Sequence, residues 1–550
     1  MFAPWFKHLP KDISSNQLDS TLNSLNELFE LSFKQFSEKP AFINMGTTLT
    51  FRALEQRSRN IACYLQQSLK YKKGTRVAIM MPNILQYPIV LLGILRAGMI
   101  VVNVNPLYTA RELKHQVKDA GAEVIFIIEN VAHTLSEVIE ELPIKHVVIT
   151  QVADELPFYK RNFLNFAMKY LKRKILPYSL PKANSYLTAL SLGKLNCYQC
   201  PALKGDDIAF IQYTGGTTGL SKGAILSHQN IIKSLQQADL FFGPSFNCKE
   251  NLIVTALPLF HAYALTVNCL YFLKKGGCNL LISNPKDTGS FINELKNYQF
   301  NYFTGLNTLF ETLLSDSKFH KIDFSQLKIT LSGGMSTQAT VANHWHKVTG
   351  NYIIAGYGMT ECSPMISVSL PCMNYFSRSV GIPMVGTQLR LRKTDNTLVD
   401  SLQKKGEIEV KGPQVMRGYW NNITETNEVL KNGWFSTGDI GFFDDEGFLN
   451  LVDRKKELII VSGFNVYPNE VETVVNQLSG VTECAVVGVN DRYSGERVKL
   501  FVVLNNPDLT FEKIIQHCKQ YLTAYKCPKQ IEIVETLPKN NLGKVLKHKL

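Results

Sequence analysis

The chain has 550 residues, 45% of them hydrophobic and 19% charged, which is ordinary for globular proteins and long enough for two or more domains with full cores. Its 59 basic and 46 acidic side chains leave a net charge of +13, which favours anionic partners such as nucleotides, phosphorylated cofactors or an anionic membrane surface. No DNA- or RNA-binding motif accompanies that charge, so nucleic acid is set aside, and the 11 cysteines are scattered without the spacing of a disulfide framework or a zinc site.

A polar leader precedes a helix expected over Ser24–Phe36, where Leu25, Leu28, Phe29, Leu31 and Phe33 make a broad apolar face. Thr48–Arg52 reads as a strand entering a helix over Leu54–Gln67. From Arg76 to Thr150 short apolar strands alternate with helical patterns: Arg76–Met80, Leu85–Ala97, Ile100–Val104, Ala110–Ala120, Val124–Ile128 and Val147–Thr150. That alternation predicts parallel α/β architecture. The cysteine usage and the lack of a signal peptide point to a reducing cytoplasm.

The stretch 160–182 carries Lys160, Arg161, Lys169, Lys172, Arg173, Lys174 and Lys182 and no acidic residue. At helical spacing Phe163, Phe166, Ala167, Tyr170 and Leu171 form one stripe. Two readings stand side by side: a helix lying in the interface of an anionic membrane, or a solvated helix packed on its own protein. Cys197 and Cys200 form a lone CxxC, more often chance spacing than a site.

Next comes a dense glycine run. After the apolar Ile208–Ile211, the residues Thr214, Gly215, Gly216, Thr217, Thr218, Gly219 and Lys222 supply backbone N–H groups, hydroxyls and a point charge suited to a polyphosphate. The spacing is not that of a Walker loop. Ser227–Asn230 is a plausible helix start. Asn251–Leu273 is uncharged and long enough to cross a bilayer, but Pro258, His261 and Asn268 within it favour a buried strand–loop–helix. His261 in that setting reads as a core residue more readily than as a ligand. Strands are expected before Gly305-Leu306, before Gly333-Gly334-Met335, and at Ile353–Ala355 running into Gly356-Tyr357-Gly358-Met359-Thr360-Glu361. Three strand–glycine-loop junctions in one α/β domain would converge at the carboxyl edge of a sheet, where ligands bind. Asp439 is expected on a tight turn after Trp434–Gly438, and Asp453–Glu457 on a charged loop. The remaining hundred or so residues read β-α-β-β-α-β, with helices over Asn469–Gln477 and Phe511–Leu522, a separate α+β domain with its boundary at Asp453.

The glycine run, Gly356–Glu361, Ser436–Asp439, Asp453–Lys456 and Pro538–Lys544 occur in the order seen in the acyl-adenylate-forming enzyme superfamily. Within it the chain resembles the bacterial long-chain fatty acid–CoA ligases, and Asn432–Asp439 through Val461–Glu470 is similar to their signature segment. The resemblance runs from about Leu25 to Lys549. It implies an N-terminal adenylate-forming domain, 1–452, of α/β subdomains with a β-barrel-like part, and a small mobile C-terminal α+β domain, 453–550, hinged at Asp453/Arg454. It implies activation of a long-chain fatty acid to acyl-CoA through acyl-AMP, with ATP and CoA as co-substrates and Mg²⁺ as metal.

Carried over by motif, Thr214–Gly219 and Lys222 would hold ATP phosphates. Gly333, Gly334, Met335, Gly356, Tyr357 and Gly358 would frame the adenine, and Asp439 would hold the ribose, assisted by Arg454 with Lys456 as a further candidate. Thr360 would contact the α-phosphate, Glu361 with Thr214 would hold Mg²⁺, and Lys544 would catalyse adenylation. His261, Leu265, Gly305 and Leu306 would line the acyl tunnel, and Ser462 and Gly463 the CoA channel. Some relatives carry a bulky aromatic where this chain has Leu265. Homodimerisation and peripheral contact with the inner face of the cytoplasmic membrane complete the expectation.

Overall fold

The computed structural model describes residues 2–8, 18, 22–171, 174–214, 221–246, 251–371, 373–461, 464–492, 494–506, 509–540 and 543–550. Two large, mainly parallel sheets dominate. The first has nine strands among the described residues, running from Ile382–Pro383 through Met365–Val368, Ile353–Gly358, Ile329–Ser332, Tyr302–Gly305, Leu252–Thr255, Cys278–Leu281 and Pro40–Asn44 to Thr47–Thr50. The second has seven, from Asn184–Ser185 through His146–Thr150, Val124–Ile128, Arg76–Met80, Ile100–Asn103 and Ile208–Thr214 to Lys222–Ser227.

Both sheets are buried on both faces, which explains strands that read as continuous apolar runs. Along Arg76–Met80, Val77 and Ile79 face the central core while Ala78 and Met80 face a separate outer one. Ile253 joins the same central core, and its neighbours Leu252 and Val254 point to the opposite side, against Phe291, Phe310 and Trp345. The central core therefore draws on one face of each sheet, together with the helices Leu25–Phe36, Phe51–Cys63, Gln86–Arg96 and His228–Phe242.

Local signals set the helix ends. Ser24 caps the first helix by accepting from the Glu27 N–H at 3.2 Å, and Thr109 with Glu112 forms a reciprocal capping box at Ala110–Ala120. Ser227 and Asn230 form another at His228–Phe242. The uncharged stretch 251–273 folds as the strand Leu252–Thr255, a loop, a π-helical turn Ala264–Leu270 and the helix Tyr271–Lys275. No helix of the described residues is long and apolar enough to cross a membrane.

A five-stranded antiparallel sheet, built from Gln388–Arg392, Gly406–Lys411, Leu430–Lys431, Trp434–Phe443 and Leu449–Arg454, forms the β-rich part. The C-terminal unit pairs Ile459–Val461, Phe464–Val466, Val481–Asp491, Gly495–Leu504 and Gln530–Ile533 around its own core of Val466, Val471, Val486, Leu500 and Ile514.

The structure bears out one expectation and corrects four. The strand–glycine junctions at Gly305, Gly333 and Gly356 share one edge, because Tyr302–Gly305, Ile329–Ser332 and Ile353–Gly358 are adjacent parallel strands of the nine-stranded sheet, while the glycine run follows Ile208–Thr214 of the seven-stranded one. Asp439 is not on a turn but inside the ten-residue strand Trp434–Phe443, where the pairing with Gly406–Lys411 shifts register between Ser436 and Ile440 and so accommodates the positive φ of Gly438 (73°). Asp453 and Arg454 end a strand rather than lying in a loop, and only Lys455–Glu457 forms a turn. The second helix begins at Phe51, capped by Thr50, because Thr47–Thr50 is shorter than its β-propensity suggests. The C-terminal unit has one more short strand, Phe464–Val466, than its pattern announces, since a three-residue hairpin arm carries no periodicity.

Candidate active site

The strand Ile208–Thr214 turns back into Lys222–Ser227 as an antiparallel hairpin whose outermost pair is Thr214 opposite Lys222. Gly215, Gly216, Thr217, Thr218 and Gly219 lie in the connection, outside the described residues, as do Ser462 and Gly463. The segment Arg417–Trp420 docks along the outer strand. The Trp420 N–H donates to Gly223 O at 2.7 Å, the Ile225 N–H to Gly418 O at 2.9 Å and the Arg417 N–H to Ile225 O at 3.1 Å. Backbone pairing of this kind sets Tyr419 beneath Lys222, whose Nζ stands 5.5 Å from the ring centroid. The same Nζ lies 2.6 Å from Glu425 Oε2.

The second wall comes from Ile353–Gly358. A Cβ on Gly358 would fall 1.9 Å from Pro364 O, so glycine alone lets the chain fold back and the Met359 N–H donate to that carbonyl at 2.8 Å. The turn Thr360–Cys362 follows. Thr360 is half-buried, and Glu361 is buried with its Oε1 accepting from Tyr419 Oη at 2.8 Å. Desolvation pushes the Glu361 carboxyl above the usual carboxylate range, against the pull of that hydrogen bond.

The third wall is Asp439. Paired across the sheet with Arg454, it accepts from the guanidinium Nε at 2.7 Å on Oδ1 and from Tyr357 Oη at 2.7 Å on Oδ2. Burial raises its pKa, and the Arg454 charge followed by the Tyr357 hydroxyl opposes that rise. Lys544 follows Gly543, whose φ of 80° and close approach to Thr308 both favour glycine. Its own N–H donates to Asn540 Oδ1 at 2.9 Å. Desolvation, then repulsion from Arg454, lowers the Lys544 ammonium pKa, while the Glu457 and Asp439 carboxylates hold it up. The C-terminal unit thus brings an ammonium within electrostatic reach of Asp439.

The first two walls, with Gly438 and Arg454 from the strands that carry and face Asp439, line a cleft of about 1180 Å³ that also takes in Thr214, Lys222, Thr360, Glu361 and Lys456; Asp439 and Lys544 are not among its lining residues. A second, apolar cavity opens from it, bounded by Leu257, Tyr263, Leu306, Gly333, Gly334, Gly356, Tyr357 and Met365. His261, Gly358, Met359 and Thr360 line both. Desolvation pushes the His261 imidazole down to about 4, so it is neutral near pH 7. Leu265 and Gly305 line neither space: Leu265 is packed in the central core, and the Gly305 hydrogen faces the Phe310 ring. Met335 is half-buried at the edge of the central core.

Sequence reasoning missed Tyr419, Glu425 and Thr437, which orders Asp439 by accepting from its N–H at 3.1 Å. The aromatic run Tyr419-Trp420 just past Gly418 was the available signal.

The AMP-binding enzyme family profile matches residues 29–420, and the AMP-binding enzyme C-terminal domain profile matches 470–544. The chain is 50% identical over 99% of its length, and 97% of the relative's, to a long-chain-fatty-acid–CoA ligase of Salmonella typhimurium. It is 34% identical, over 100% of its length and 97% of the relative's, to one of Bacillus subtilis. At 31% identity, over 91% of its length and 93% of the relative's, it matches a feruloyl-CoA synthase of an Amycolatopsis species. Among solved structures, ATP-bound MatB from Rhodopseudomonas palustris superposes with a TM-score of 0.82 at 24% identity, covering 96% of this chain and 98% of that one. The two sheets, the β-rich part and the C-terminal unit thus make a known fold, and the chain belongs to the AMP-binding enzyme family.

Proposed function

We propose that the protein activates long-chain fatty acids to acyl-CoA with ATP, through an acyl-AMP intermediate and with release of AMP and pyrophosphate. The observation that carries this reading is the junction at His261, Gly358, Met359 and Thr360, where a charged cleft large enough for a nucleotide meets an apolar cavity. A fatty acid with its carboxylate at the junction would begin its chain against Leu257, Tyr263, Leu306 and Met365, in a cavity that shares Gly333, Gly334, Gly356 and Tyr357 with the expected adenine frame. The full-length relatives named for long-chain fatty acids support the same substrate class.

In the first half-reaction a carboxylate oxygen attacks the α-phosphorus of ATP, and the bond to the pyrophosphate oxygen breaks. Two anions approach each other, so cations and donors must gather the negative charge of the transition state. Lys222 and Thr214 serve the β- and γ-phosphates, Thr360 the α-phosphate, and Lys544 bridges α-phosphate and carboxylate. Asp439 takes the ribose hydroxyls; each carboxylate oxygen has two lone-pair directions, so the Tyr357 and Arg454 bonds leave room for them. In the second half-reaction the CoA sulfur attacks the acyl carbon and AMP leaves. Rotation of the C-terminal unit about Asp453/Arg454 withdraws Lys544 between the two steps.

Among the described residues there is no group of three or more His, Cys, Asp or Glu side chains that could hold a metal. Glu361 and the Thr214 hydroxyl are hard oxygen donors on one cleft, which fits a cation that takes most of its ligands from phosphate and water. Bound there, Mg²⁺ would neutralise phosphate charge. The exposed basic–aromatic helix near residue 160 suits peripheral contact with the inner face of the cytoplasmic membrane, for which vesicle flotation is the measurement. Homodimerisation is tested by light scattering.

The deciding experiment follows CoA-dependent AMP formation from ATP across carboxylates from acetate to oleate, with benzoate beside them. Peak turnover at long chains is expected. Turnover on benzoate alone would move the protein to the aryl–CoA ligases, as would fit its likeness to the feruloyl-CoA synthase, and AMP release that ignores CoA would overturn the acyl-CoA product.

A further inference from the structure

Lys222 has a carboxylate partner on the cleft. Its Nζ sits 2.6 Å from Glu425 Oε2, above the Tyr419 ring, and that ring's hydroxyl in turn donates to Glu361. The pair is not a chance meeting of two long surface side chains. Backbone bonds lock Arg417–Trp420 onto Lys222–Ser227, and the Asn422 side chain accepts from the Glu425 N–H at 3.1 Å, which fixes the start of the helix Ile423–Val429. Glu425 and Lys222 therefore hang from one rigid frame and face the same cleft. Both side chains keep about a third of their surface open, 35% for Glu425 and 27% for Lys222, so an incoming anion can reach the ammonium.

We infer that Glu425 is a placeholder for the polyphosphate of ATP: its carboxylate occupies Lys222 in the empty enzyme, yields it when the β- and γ-phosphates bind, and reclaims it as pyrophosphate leaves. A carboxylate within ion-pair distance of the phosphate-binding ammonium competes for it and repels the phosphate as well. Removing that charge strengthens binding of ligands that carry the β- and γ-phosphates and leaves those that lack them unchanged. The inference rests on the reading of Lys222 as a polyphosphate ligand. Glu425 is a positioning and affinity-setting residue; it touches no reacting atom.

The isosteric Glu425→Gln substitution tests this. The KM for ATP and the inhibition constant for pyrophosphate are expected to fall together, by about three- to ten-fold for a half-exposed charge, while AMP inhibition holds. Glu425→Asp, which keeps the charge, is expected to behave as the native protein. A purely structural role for Glu425 would shift AMP and ATP alike. Lys222→Met provides the second arm. If it raises the KM for ATP while Glu425→Gln brings no gain in ATP or pyrophosphate affinity, the placeholder is overturned and the role of Lys222 stands. If Lys222→Met leaves the KM for ATP untouched, the polyphosphate reading of Lys222 fails and the inference falls with it. In the double variant Lys222→Met/Glu425→Gln, the gain from the glutamine should vanish.

Discussion

At position 228 a histidine is 1% exposed in the central core, and its Nδ1 accepts from the Leu25 N–H at 3.2 Å, at the start of the first long helix. Burial pushes its pKa from 6.5 down to about 4, only partly offset by the Asp207 carboxylate. The unfolded chain therefore binds more protons than the folded one between those two values. Stability on this account is complete above pH 6.5 and falls as the pH drops towards 4, by up to about 3 kcal/mol. His228→Asn keeps an acceptor for Leu25 but does not titrate, so its urea midpoint should change less than that of the native protein between pH 7 and 4.5. Equal loss in both proteins would assign the acid sensitivity elsewhere. Residue identities at the cleft were legible because each chemistry demands a type: a carboxylate for ribose, a hard oxygen for a cation, glycine where backbone must touch backbone. The pairing of Tyr419 with Glu361 was not legible, since the two lie 58 positions apart and the aromatic run at Tyr419-Trp420 does not point to its partner.

The helix Phe158–Phe166, extended by the π-turn Ala167–Leu171, leaves its aromatics in solvent: Phe163 is 67% exposed and Tyr170 60%. Both readings of this segment keep support: Leu164 packs on the core, Ala167 is buried and Asn165 Oδ1 accepts from the Ala153 N–H at 3.1 Å, while the exposed aromatics leave apolar surface that a lipid interface would cover. Lys160, Lys169 and Lys174 are exposed on the same segment, and attraction to anionic lipid adds to the apolar term. Phe166→Asp/Tyr170→Asp is expected to weaken co-flotation with phosphatidylglycerol vesicles by at least about ten-fold, since two aromatic anchors are lost and two repulsive charges added. Turnover of a soluble medium-chain acid should be unaffected. Undiminished flotation would remove the membrane contact. At this scale the helix itself was visible as a stripe of apolar spacing, but which face is covered is decided by neighbours the stripe does not contain. Asp439 makes the same point: Gly438 looks like a turn in sequence, yet the strands Gly406–Lys411 and Leu449–Arg454 on either side supply the hydrogen bonds that keep Trp434–Phe443 extended.

Across the whole molecule the site exists only where separate units meet. The hairpin carrying Lys222 belongs to one sheet, the turn carrying Glu361 to another, Asp439 to the β-rich part and Lys544 to the C-terminal unit. Lys544→Ala is expected to slow acyl-AMP formation, measured by ATP–pyrophosphate exchange, by about 100-fold or more, since it removes a cation aimed at the transition state. Transfer from supplied acyl-AMP to CoA should persist, because that step uses no charge on Lys544; a parallel loss of both steps would argue for damage to the fold instead. The amino-acid sequence by itself determined the parallel α/β class, most element positions, the separate C-terminal unit and the residue types of the cleft, because periodicity, caps and glycine requirements act over a few neighbouring residues. Only the tertiary structure decided that the hairpin carrying Lys222 comes from a different sheet than the turn carrying Glu361, that His261 lines both the polar cleft and the apolar cavity, and that Glu425 holds Lys222. Those arrangements follow from which buried faces pack together, a choice spread over residues hundreds of positions apart and written in no single stretch of the chain.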